Sequence, residues 1–311
     1  MTTNRAAIVE AARRSIALGS KSFAAASTLF DPVTRERAWL LYAWCRRCDD
    51  LVDGQDHGHA RVVVDDARER VAMVRAMSMA ALAGEPTGDP AFDALALVAA
   101  ETRLPHRYVD DLIDGFQLDA DDWAPRSEDD LYRYCYHVAG AVGCMMAIVM
   151  GVPPEDEATL DRACDLGLAF QLANIARDIE EDARVGRCYL PRDWLGDVNV
   201  PADAVMAPHH RDALVMLARR LTDRAERHEA SARIGTKALS WRSAWAVLAA
   251  AGIYGDIARA VARRGTRAWD RRVTTGKAAK LAWIARAAWQ ASRRAALPDL
   301  PRDPVLWTRW R

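Results

Sequence analysis

Helical periodicity is the property of this chain that limits its possible folds most. Apolar residues recur at three- and four-residue spacing over most of its 311 residues, and no stretch of six or more alternates as a half-buried strand would. Its 17 glycines and 13 prolines are too few for a chain rich in breaks, so long helices are expected. The sequence therefore predicts an all-α fold and, because no linker or repeat divides it, a single helical domain over residues 1–311.

Two start signals locate helices within this pattern. Asp31-Pro32 places an acidic N-cap before a proline in the first turn, which predicts a helix over about 33–53. Ser127 with Asp130 three residues later resembles a capping box that begins a long apolar helix holding residues 131–150. Gly- and Pro-containing breaks, including a loop of about fifteen residues at 186–201, separate the other predicted helices, which cover about 155–183, 203–233, 238–264 and 276–296.

The balance of charge excludes a general nucleic-acid binder. Lys and Arg number 43 and Asp and Glu number 43, which leaves no formal net charge. The basic residues are concentrated at the end of the chain, where residues 256–311 carry fourteen Lys or Arg against four Asp or Glu. This basic third predicts an anionic partner: a phosphorylated substrate, an acidic membrane surface or the acidic remainder of the fold.

Cysteine content and the N-terminus indicate a cytoplasmic protein. Six cysteines in 311 residues are too sparse for a disulfide-stapled secreted domain, and the first fifteen residues carry charges where a signal peptide would be apolar. Cys45-x-x-Cys48 lies inside a predicted helix without a second pair, which favours structural thiols over zinc. Residues 134–154 lack Asp, Glu, Lys and Arg, and a buried helix is favoured there over a membrane span.

Four polar side chains share one face near the end of the first predicted helix. At about 100° per residue, Tyr42, Arg46, Asp49 and Asp53 fall within about 60° of one another. The two acids stand one turn apart, where like charges destabilise a helix, and more so when partly desolvated. A single Asp-x-x-x-Asp pattern is more often a solvated helix face than a site.

A second copy of the pattern reverses that preference. Gln171, Asn174, Asp178 and Asp182 share a face of the helix predicted at 155–183. An apolar stripe runs directly beside this face and consists of Leu168, Leu172, Ile175 and Ile179. The polar row therefore borders the core instead of pointing straight into water.

Two acidic rows beside apolar stripes need a counter-cation. Mg²⁺ is the natural candidate, with Mn²⁺ as the alternative, because it prefers carboxylate oxygen and completes its coordination with water and substrate phosphate. Two such helices facing each other across a cavity would hold a metal-bound diphosphate at each wall. A third acidic pair, Asp111 and Asp114, is interpreted as structural or solvated, with support of a metal site as the open alternative.

Several segments of the chain match one enzyme family. They resemble the signature segments of the squalene/phytoene synthase family, most of all those of its bacterial phytoene synthases, and together they extend over nearly the whole chain. The segments are SKSF at 20–23, YAWCRRCDDLVD at 42–53, YCYHVAGAVG at 134–143, QLANIARDIEEDARVGRCYLP at 171–191, RSAWAVLAAAGIYG at 242–255 and AWDRR at 268–272.

The resemblance implies an all-α isoprenoid synthase fold, a helical bundle around a central cavity. It also implies an activity, in which two geranylgeranyl diphosphates are joined head to head through a cyclopropyl (prephytoene) diphosphate to give 15-cis-phytoene. The reaction in that family depends on Mg²⁺, and no NADPH is expected because phytoene formation needs no reductant.

By matching position, the resemblance also implies roles for individual residues. Tyr134 would lie near the reacting carbons. Metal binding is implied for Asp49, Asp53, Asn174, Asp178 and Asp182. Contact with the substrate and its diphosphate is implied for Ser20, Lys21, Ser22, Tyr42, Arg46, Gln171, Asn174, Arg177, Tyr254 and Arg272.

Two alternatives stay open at this point. Squalene or dehydrosqualene synthesis from farnesyl diphosphate is the runner-up, although the small run Ala24-Ala25-Ala26 near the implied substrate entrance favours a longer prenyl chain. A non-catalytic helical scaffold is the second, but it has no need of both acidic motifs. The apolar product suggests peripheral contact with a membrane, for which the sequence alone offers no clear amphipathic helix.

Overall fold

The computed structural model describes residues 5–54 and 66–310, except for the side chains of Lys21, Ser22 and Asp53. The described residues form α-helices joined by turns, and no β-strand occurs among them. The all-α prediction is therefore confirmed.

The chain divides into two compact units. One consists of Met1–Asp121 with Cys144–Leu160, and the other of Asp122–Gly143 with Asp161–Arg311. The single domain expected over the whole chain remains a prediction.

Within residues 5–54 and 66–121, which the structure describes, six helices precede the first unit boundary. They are α1 (Arg5–Gly19), α2 (Lys21–Ser27), α3 (Pro32–Asp53), α4 (Ala67–Leu82), α5 (Pro90–Thr102) and α6 (His106–Ala120). The helix α3 packs against α1, α4 and α5. Trp44, Leu40 and Leu95 are fully buried, and the Trp44 indole nitrogen donates to the Ser78 hydroxyl at 3.1 Å, which fixes the middle of α3.

The remaining α-helices follow from residue 128 onward. They are α7 (Glu128–Cys135), α8 (Ala141–Val149), α9 (Glu157–Arg184), α10 (Arg192–Asp197), α11 (Arg211–Gly235), α12 (Trp241–Arg264) and α13 (Lys277–Arg293). Short 3-10 turns lie at Ala202–Ala204, Pro208–His210, Thr236–Ala238, Gly265–Arg267 and Arg294–Ala296. In the second unit α12 packs between α11 and α13.

Both predicted start signals are present. The Asp31 carboxylate accepts hydrogen bonds from the backbone of Val33 at 3.1 Å and Thr34 at 3.0 Å, so it caps α3. Ser127 and Asp130 form a reciprocal capping box at the start of α7. Local side-chain chemistry therefore sets where these two helices begin.

The predicted long helix over residues 131–150 is present, but it contains a π-helical bulge that the sequence did not predict. The helix α7 ends at Cys135, a π-helical turn occupies Tyr136–Gly140, and α8 follows. A β-carbon added at Gly143 would lie 2.4 Å from the Ala163 carbonyl oxygen, and one added at Gly167 would lie 2.2 Å from that of Ala139. Backbones this close show that these two glycines allow packing against α9.

Other boundaries shift for local reasons. The helix expected from residue 155 begins at Glu157, because the Asp156 carboxylate caps it by accepting from the Thr159 backbone at 3.1 Å. The loop predicted at 186–201 contains the short helix α10. The helix expected from residue 203 begins only at Arg211, after two 3-10 turns.

Among the described residues, one helical segment is long and apolar enough to cross a membrane. It is Trp241–Arg267, and half of its apolar window is buried inside the protein. Residues 134–154, which raised the same question, are divided between several elements, and Tyr134, Tyr136 and Met145 within them are buried.

Candidate active site

The first acidic motif occupies the last turns of α3. Arg46 lies between its neighbours on the same face: its Nε donates to the Tyr42 hydroxyl at 3.4 Å, and its Nη1 is 3.5 Å from Asp49 Oδ2. The Asp49 side chain is 42% exposed, against 23% for Arg46. The predicted shared face is therefore present for Tyr42, Arg46 and Asp49, while the side chain of Asp53 lies outside the described part.

The segment SKSF packs against this motif. Ser20 caps α2 by accepting from the Phe23 backbone at 3.2 Å, and the Phe23 ring meets the Tyr42 ring edge-on at 5.5 Å between centroids. A β-carbon at Gly19 would lie 2.6 Å from the Tyr42 hydroxyl, so glycine leaves room for the phenol. The structure thus brings the SKSF segment against the first acidic motif. The side chains of Lys21 and Ser22 are not among those it describes.

The second acidic motif lies in the C-terminal half of α9 and carries two arginines. Arg177 holds Asp178 with two hydrogen bonds, Nε to Oδ1 at 2.7 Å and Nη2 to Oδ2 at 2.5 Å. Arg272, 94 residues further along the chain, reaches the same carboxylate at 3.0 Å and Glu181 at 2.8 Å. The structure therefore brings Arg272 to the second acidic motif, while its implied contact with diphosphate stays a prediction.

Electrostatics at this motif follow from those contacts. Burial alone would lower the pKa of Arg177, but its hydrogen bonds with Asp178 raise it. Burial and the hydrogen bond with Asp178 raise the pKa of Glu181, and Arg272 only partly offsets this. The motif therefore keeps its arginine charged while weakening the preference of one neighbouring carboxyl for the ionised form.

Asn174 leaves an acceptor open beside this ion pair. Its Oδ1 is buried and finds no hydrogen-bond partner among the described residues. Gln171 and Asp182 lie half-buried on the same helix, and the apolar stripe beside them, from Leu168 to Ile179, is buried as predicted. An orphaned amide oxygen next to carboxylates is the donor set that a hard divalent cation accepts, so these residues fit Mg²⁺.

Trp269 is a contributor that the sequence did not single out. Its indole nitrogen donates to the Ala176 carbonyl at 3.0 Å, and its ring is buried. This contact fixes the AWDRR segment against α9 at a point three residues before Arg272. The signal that could have found it is a tryptophan inside a matching segment, since a buried indole N–H usually needs a partner.

Tyr134 is buried between two aromatic rings. Trp123 stacks on it at 5.8 Å between centroids and Tyr189 stacks at 4.8 Å. The loops that supply these rings are joined by backbone hydrogen bonds from Arg192 to Pro125 at 3.1 Å and from Asp193 to Arg126 at 3.0 Å. Neither Trp123 nor Tyr189 was predicted as a site residue, although Tyr189 lies in a matching segment.

Tyr254 lies beside the second motif as well. Its ring stacks on Phe170 of α9 at 4.3 Å between centroids, and it contributes to the electrostatic surroundings of Arg177. Tyr254 and Arg272 therefore approach the length of α9 that carries Arg177, from two distant positions in the sequence.

The structure also describes two other clusters that the sequence singled out. Burial raises the pKa of the Cys45 and Cys48 thiols, which keeps them protonated and unreactive. The Asp114 carboxylate lies 2.6 Å from the Arg75 guanidinium. The Asp114 side chain is 52% exposed, which is typical of a solvated ion pair.

Comparisons with known proteins match nearly the whole chain. The squalene/phytoene synthase family model matches residues 16–279. A phytoene synthase from Pseudescherichia vulneris is 45% identical over 97% of this chain and 98% of its own length. A 15-cis-phytoene synthase from Pantoea ananas is 44% identical over 98% of this chain and 99% of its own length.

Among solved structures, a dehydrosqualene synthase in complex with ligand has the same helical fold. It superposes with a TM-score of 0.82 at 25% identity and covers 93% of this chain and 98% of its own.

Proposed function

Because the chain belongs to the squalene/phytoene synthase family of prenyl-transferring enzymes, we propose that it joins two geranylgeranyl diphosphates head to head and releases 15-cis-phytoene. The observation that carries the proposal is the second acidic motif. There, two arginines converge on Asp178 while the buried Asn174 oxygen stays without a partner among the described residues. This combination suits a diphosphate that arrives with divalent metal.

The reaction balances without an oxidant or reductant. In the first step the C–O bond of one diphosphate breaks, and the allylic carbon bonds to the double bond of the second substrate. Loss of a proton then closes a cyclopropane. In the second step the remaining diphosphate leaves, the ring opens and rearranges, and a second proton is lost. Two diphosphates and two protons are released for each hydrocarbon formed.

The arginines supply the charge that meets each leaving diphosphate. Arg46 on α3, and Arg177 and Arg272 at α9, offer forked donors that match phosphate oxygens. Tyr42, Tyr254 and Gln171 would add neutral contacts. Ser20, Lys21 and Ser22 would line the approach. Preorganised donors stabilise a developing anion better than water because they need no reorganisation during the step.

Metal would be held by two sets of side chains. Asp49 and Asp53 form one set, and Asn174, Asp178 and Asp182 form the other. When bound there, Mg²⁺, with Mn²⁺ as the alternative, neutralises charge on the leaving diphosphate. The unpartnered Asn174 oxygen supports this assignment, since a buried acceptor without a partner costs stability unless a ligand uses it.

Tyr134 would face the reacting carbons. Its rigid aromatic surroundings exclude water, and a carbocation next to water would be trapped as an alcohol. Burial of the ring between Trp123 and Tyr189 supports this role, because a stacked ring keeps one orientation through the reaction.

The length of the prenyl substrate separates the proposed reaction from its main alternative. A C15 substrate would give squalene or dehydrosqualene, and the dehydrosqualene synthase neighbour has a similar fold. Identity of 44–45% to phytoene synthases against 25% to that structure favours the C20 substrate. The proposed location is the cytoplasm, with peripheral contact at a membrane that receives the hydrocarbon.

The test is product identification. Purified protein is incubated with Mg²⁺ and either geranylgeranyl or farnesyl diphosphate, with and without NADPH, and the hydrocarbons are separated by chromatography and mass spectrometry. We expect phytoene from the C20 substrate alone, without NADPH. Squalene or dehydrosqualene as the main product would overturn the proposed substrate.

A variant pair tests the site and the scaffold alternative together. Asp178→Ala should lower kcat by about 100-fold or more, the order of loss seen when preorganised transition-state charge is removed. Glu180→Ala is the matched control, since Glu180 is on the same helix but pairs with Arg184. Equal activity in the two variants would contradict the assignment of Asp178, and no diphosphate release by the wild type would favour a scaffold.

A further inference from the structure

The helix α13 presents an apolar row to solvent. Leu281 is 68% exposed and Trp289 is 57% exposed, although both are large and hydrophobic. The row follows one helical face, because its members recur at three- and four-residue spacing. They are Ala278, Leu281, Ala282, Ala285 and Trp289, all exposed.

The opposite face of α13 accounts for its packing. The Trp283 indole donates to Asp256 at 2.6 Å, and its ring fills the space above Gly252, where a β-carbon would lie 2.1 Å away. Ala287 and Ala291 are fully buried. The helix is therefore firmly docked on α12 without using the outward row, so the row is free to serve another surface.

Basic residues flank that row and acids are missing from the helix. Lys277, Lys280, Arg286 and Arg293 are the charged residues of α13, and its sequence contains no Asp or Glu. The Arg293 guanidinium lies 4.5 Å from the centre of the exposed Trp289 ring. An apolar strip with cations beside it matches a partner that is apolar at depth and anionic at its surface.

The first turn of α12 extends this surface. Trp241 is 38% exposed, and its indole donates to the Ser292 hydroxyl near the end of α13 at 3.1 Å. Arg242 beside it is also exposed. Two tryptophans with apolar rings and polar N–H groups are typical of residues at the boundary between lipid and water.

We propose that the surface formed by α13 and Trp241, here called the α13 surface, docks on the headgroup region of an anionic lipid bilayer. The apolar row from Ala278 to Trp289 is about 17 Å long at the rise of an α-helix, so the helix would lie in the plane of the interface. A second copy of the chain is a poorer occupant, because a symmetric contact would bring two identical basic faces together.

This inference rests on the peripheral membrane contact of the proposed function and deepens it by assigning a surface to that contact, and it is independent of the proposed reaction because it depends only on the exposure and charge of α13. It explains how a protein with no formal net charge could be recruited to a membrane. The basic C-terminal third contributes four of its charges through this one helix.

Vesicle co-sedimentation tests the α13 surface. The full chain is mixed with vesicles of phosphatidylcholine alone or with phosphatidylglycerol added, at low and at high salt. We expect binding to the anionic vesicles that weakens with salt. Each Arg→Glu change at Arg286 or Arg293 should weaken binding about five-fold or more, and L281E/W289E should abolish it.

Met216→Glu is the matched control. Met216 is 55% exposed, and lies about 25 Å along α11 from Arg233, whose guanidinium contacts Trp283. We expect this variant to bind vesicles as the wild type does. The proposal is overturned if the wild type ignores anionic vesicles, if L281E/W289E still binds them, or if M216E loses binding equally.

Two further measurements distinguish lipid docking from self-association and from a loss of activity. Light scattering after gel filtration reports self-association, and a wild-type dimer that L281E/W289E converts to monomer would show that a second copy covers the surface, which also overturns the proposal. Turnover of geranylgeranyl diphosphate in detergent should be equal in the wild type and L281E/W289E. Failure of lipid binding with intact turnover would thus overturn the membrane contact and leave the proposed reaction untouched.

Discussion

Two aspartates on α9, Asp165 and Asp178, are surrounded in opposite ways. Asp165 is fully buried, and its carboxylate is held by His228 Nδ1 at 2.7 Å, the Ser231 hydroxyl at 2.6 Å and Arg302 at 2.7 and 2.8 Å. Asp178 is 18% exposed and binds two arginines, and next to it the Asn174 oxygen lacks a partner among the described residues.

The two carboxylates differ in their access to solvent. Asp165 joins α9 to α11 and to the C-terminal residues around Arg302, away from solvent. Asp178 is partly exposed and lies on the same helix face as the open acceptor of Asn174. A ligand could reach Asp178 but not Asp165, which agrees with the role proposed for Asp178.

The strongest change is predicted in stability, at Asp165. Asp165→Asn should lower the free energy of unfolding by about 3–5 kcal/mol, because it leaves the buried His228 and the half-buried Arg302 without their counter-charge. Urea unfolding followed by circular dichroism measures this. Asp178→Asn is the matched comparison and should cost less, about 1–2 kcal/mol, since Asp178 itself is 18% exposed and its partner Arg272 is 47% exposed. Equal losses in both variants would remove the distinction.

A more moderate effect on stability is expected when the pH is lowered. Burial alone would raise the pKa of Asp165, but the hydrogen bonds from Arg302 and His228 lower it below its unfolded value of about 3.9. The carboxylate thus contributes stability above that value and loses it as pH falls toward the folded pKa. Two other charged groups face the Asp165 site. Arg162 interacts with Asp165, and Asp161 interacts with Arg302 of the C-terminal residues.

The quantity to measure is the stability gap, which is the difference in the free energy of unfolding between the wild type and Asp165→Asn. It should be constant from neutral pH to about pH 5 and narrow as the pH falls below about 3.9. A gap that stays constant down to about pH 3 would show that the charge of Asp165 contributes nothing.

An effect of opposite sign is expected at Asn174. Asn174→Leu removes the unpartnered buried oxygen, so the metal-free protein should become more stable by about 1 kcal/mol. The same change should remove any rise in melting temperature caused by Mg²⁺ with inorganic pyrophosphate. Differential scanning calorimetry with and without these additions tests both points. A variant that loses stability in chelator would mean that the oxygen has a structural partner.

The weakest of these effects concerns the rings around Tyr134. Tyr189→Leu or Trp123→Leu should lower kcat about three- to ten-fold, the equivalent of one lost aromatic pair. Tyr189→Phe keeps the stack and should retain most activity. The diagnostic readout is the fraction of alcohol by-products, which should rise if the ring no longer holds its orientation. Unchanged by-products with reduced stability would indicate a purely structural stack.

Much of the fold followed from local patterns. The caps at Asp31 and Ser127 act within three residues, so the sequence alone could predict them. The π-helical turn at Tyr136–Gly140 could not be predicted, because it depends on the close approach of α9 at Gly167. The length of α9 and its buried stripe were predictable, since helical spacing alone determines which residues share a face.

The candidate site divides in the same way. The order of residues along the chain was enough to place Asn174, Asp178 and Asp182 on one side of a helix, because 3.6-residue periodicity is local. Three-dimensional packing was needed to bring Arg272 and Trp269 to that helix, to enclose Tyr134 between Trp123 and Tyr189, and to seal Asp165 with Arg302. Those contacts join residues distant in the chain, and they are selected by packing and charge pairing, which no local pattern encodes.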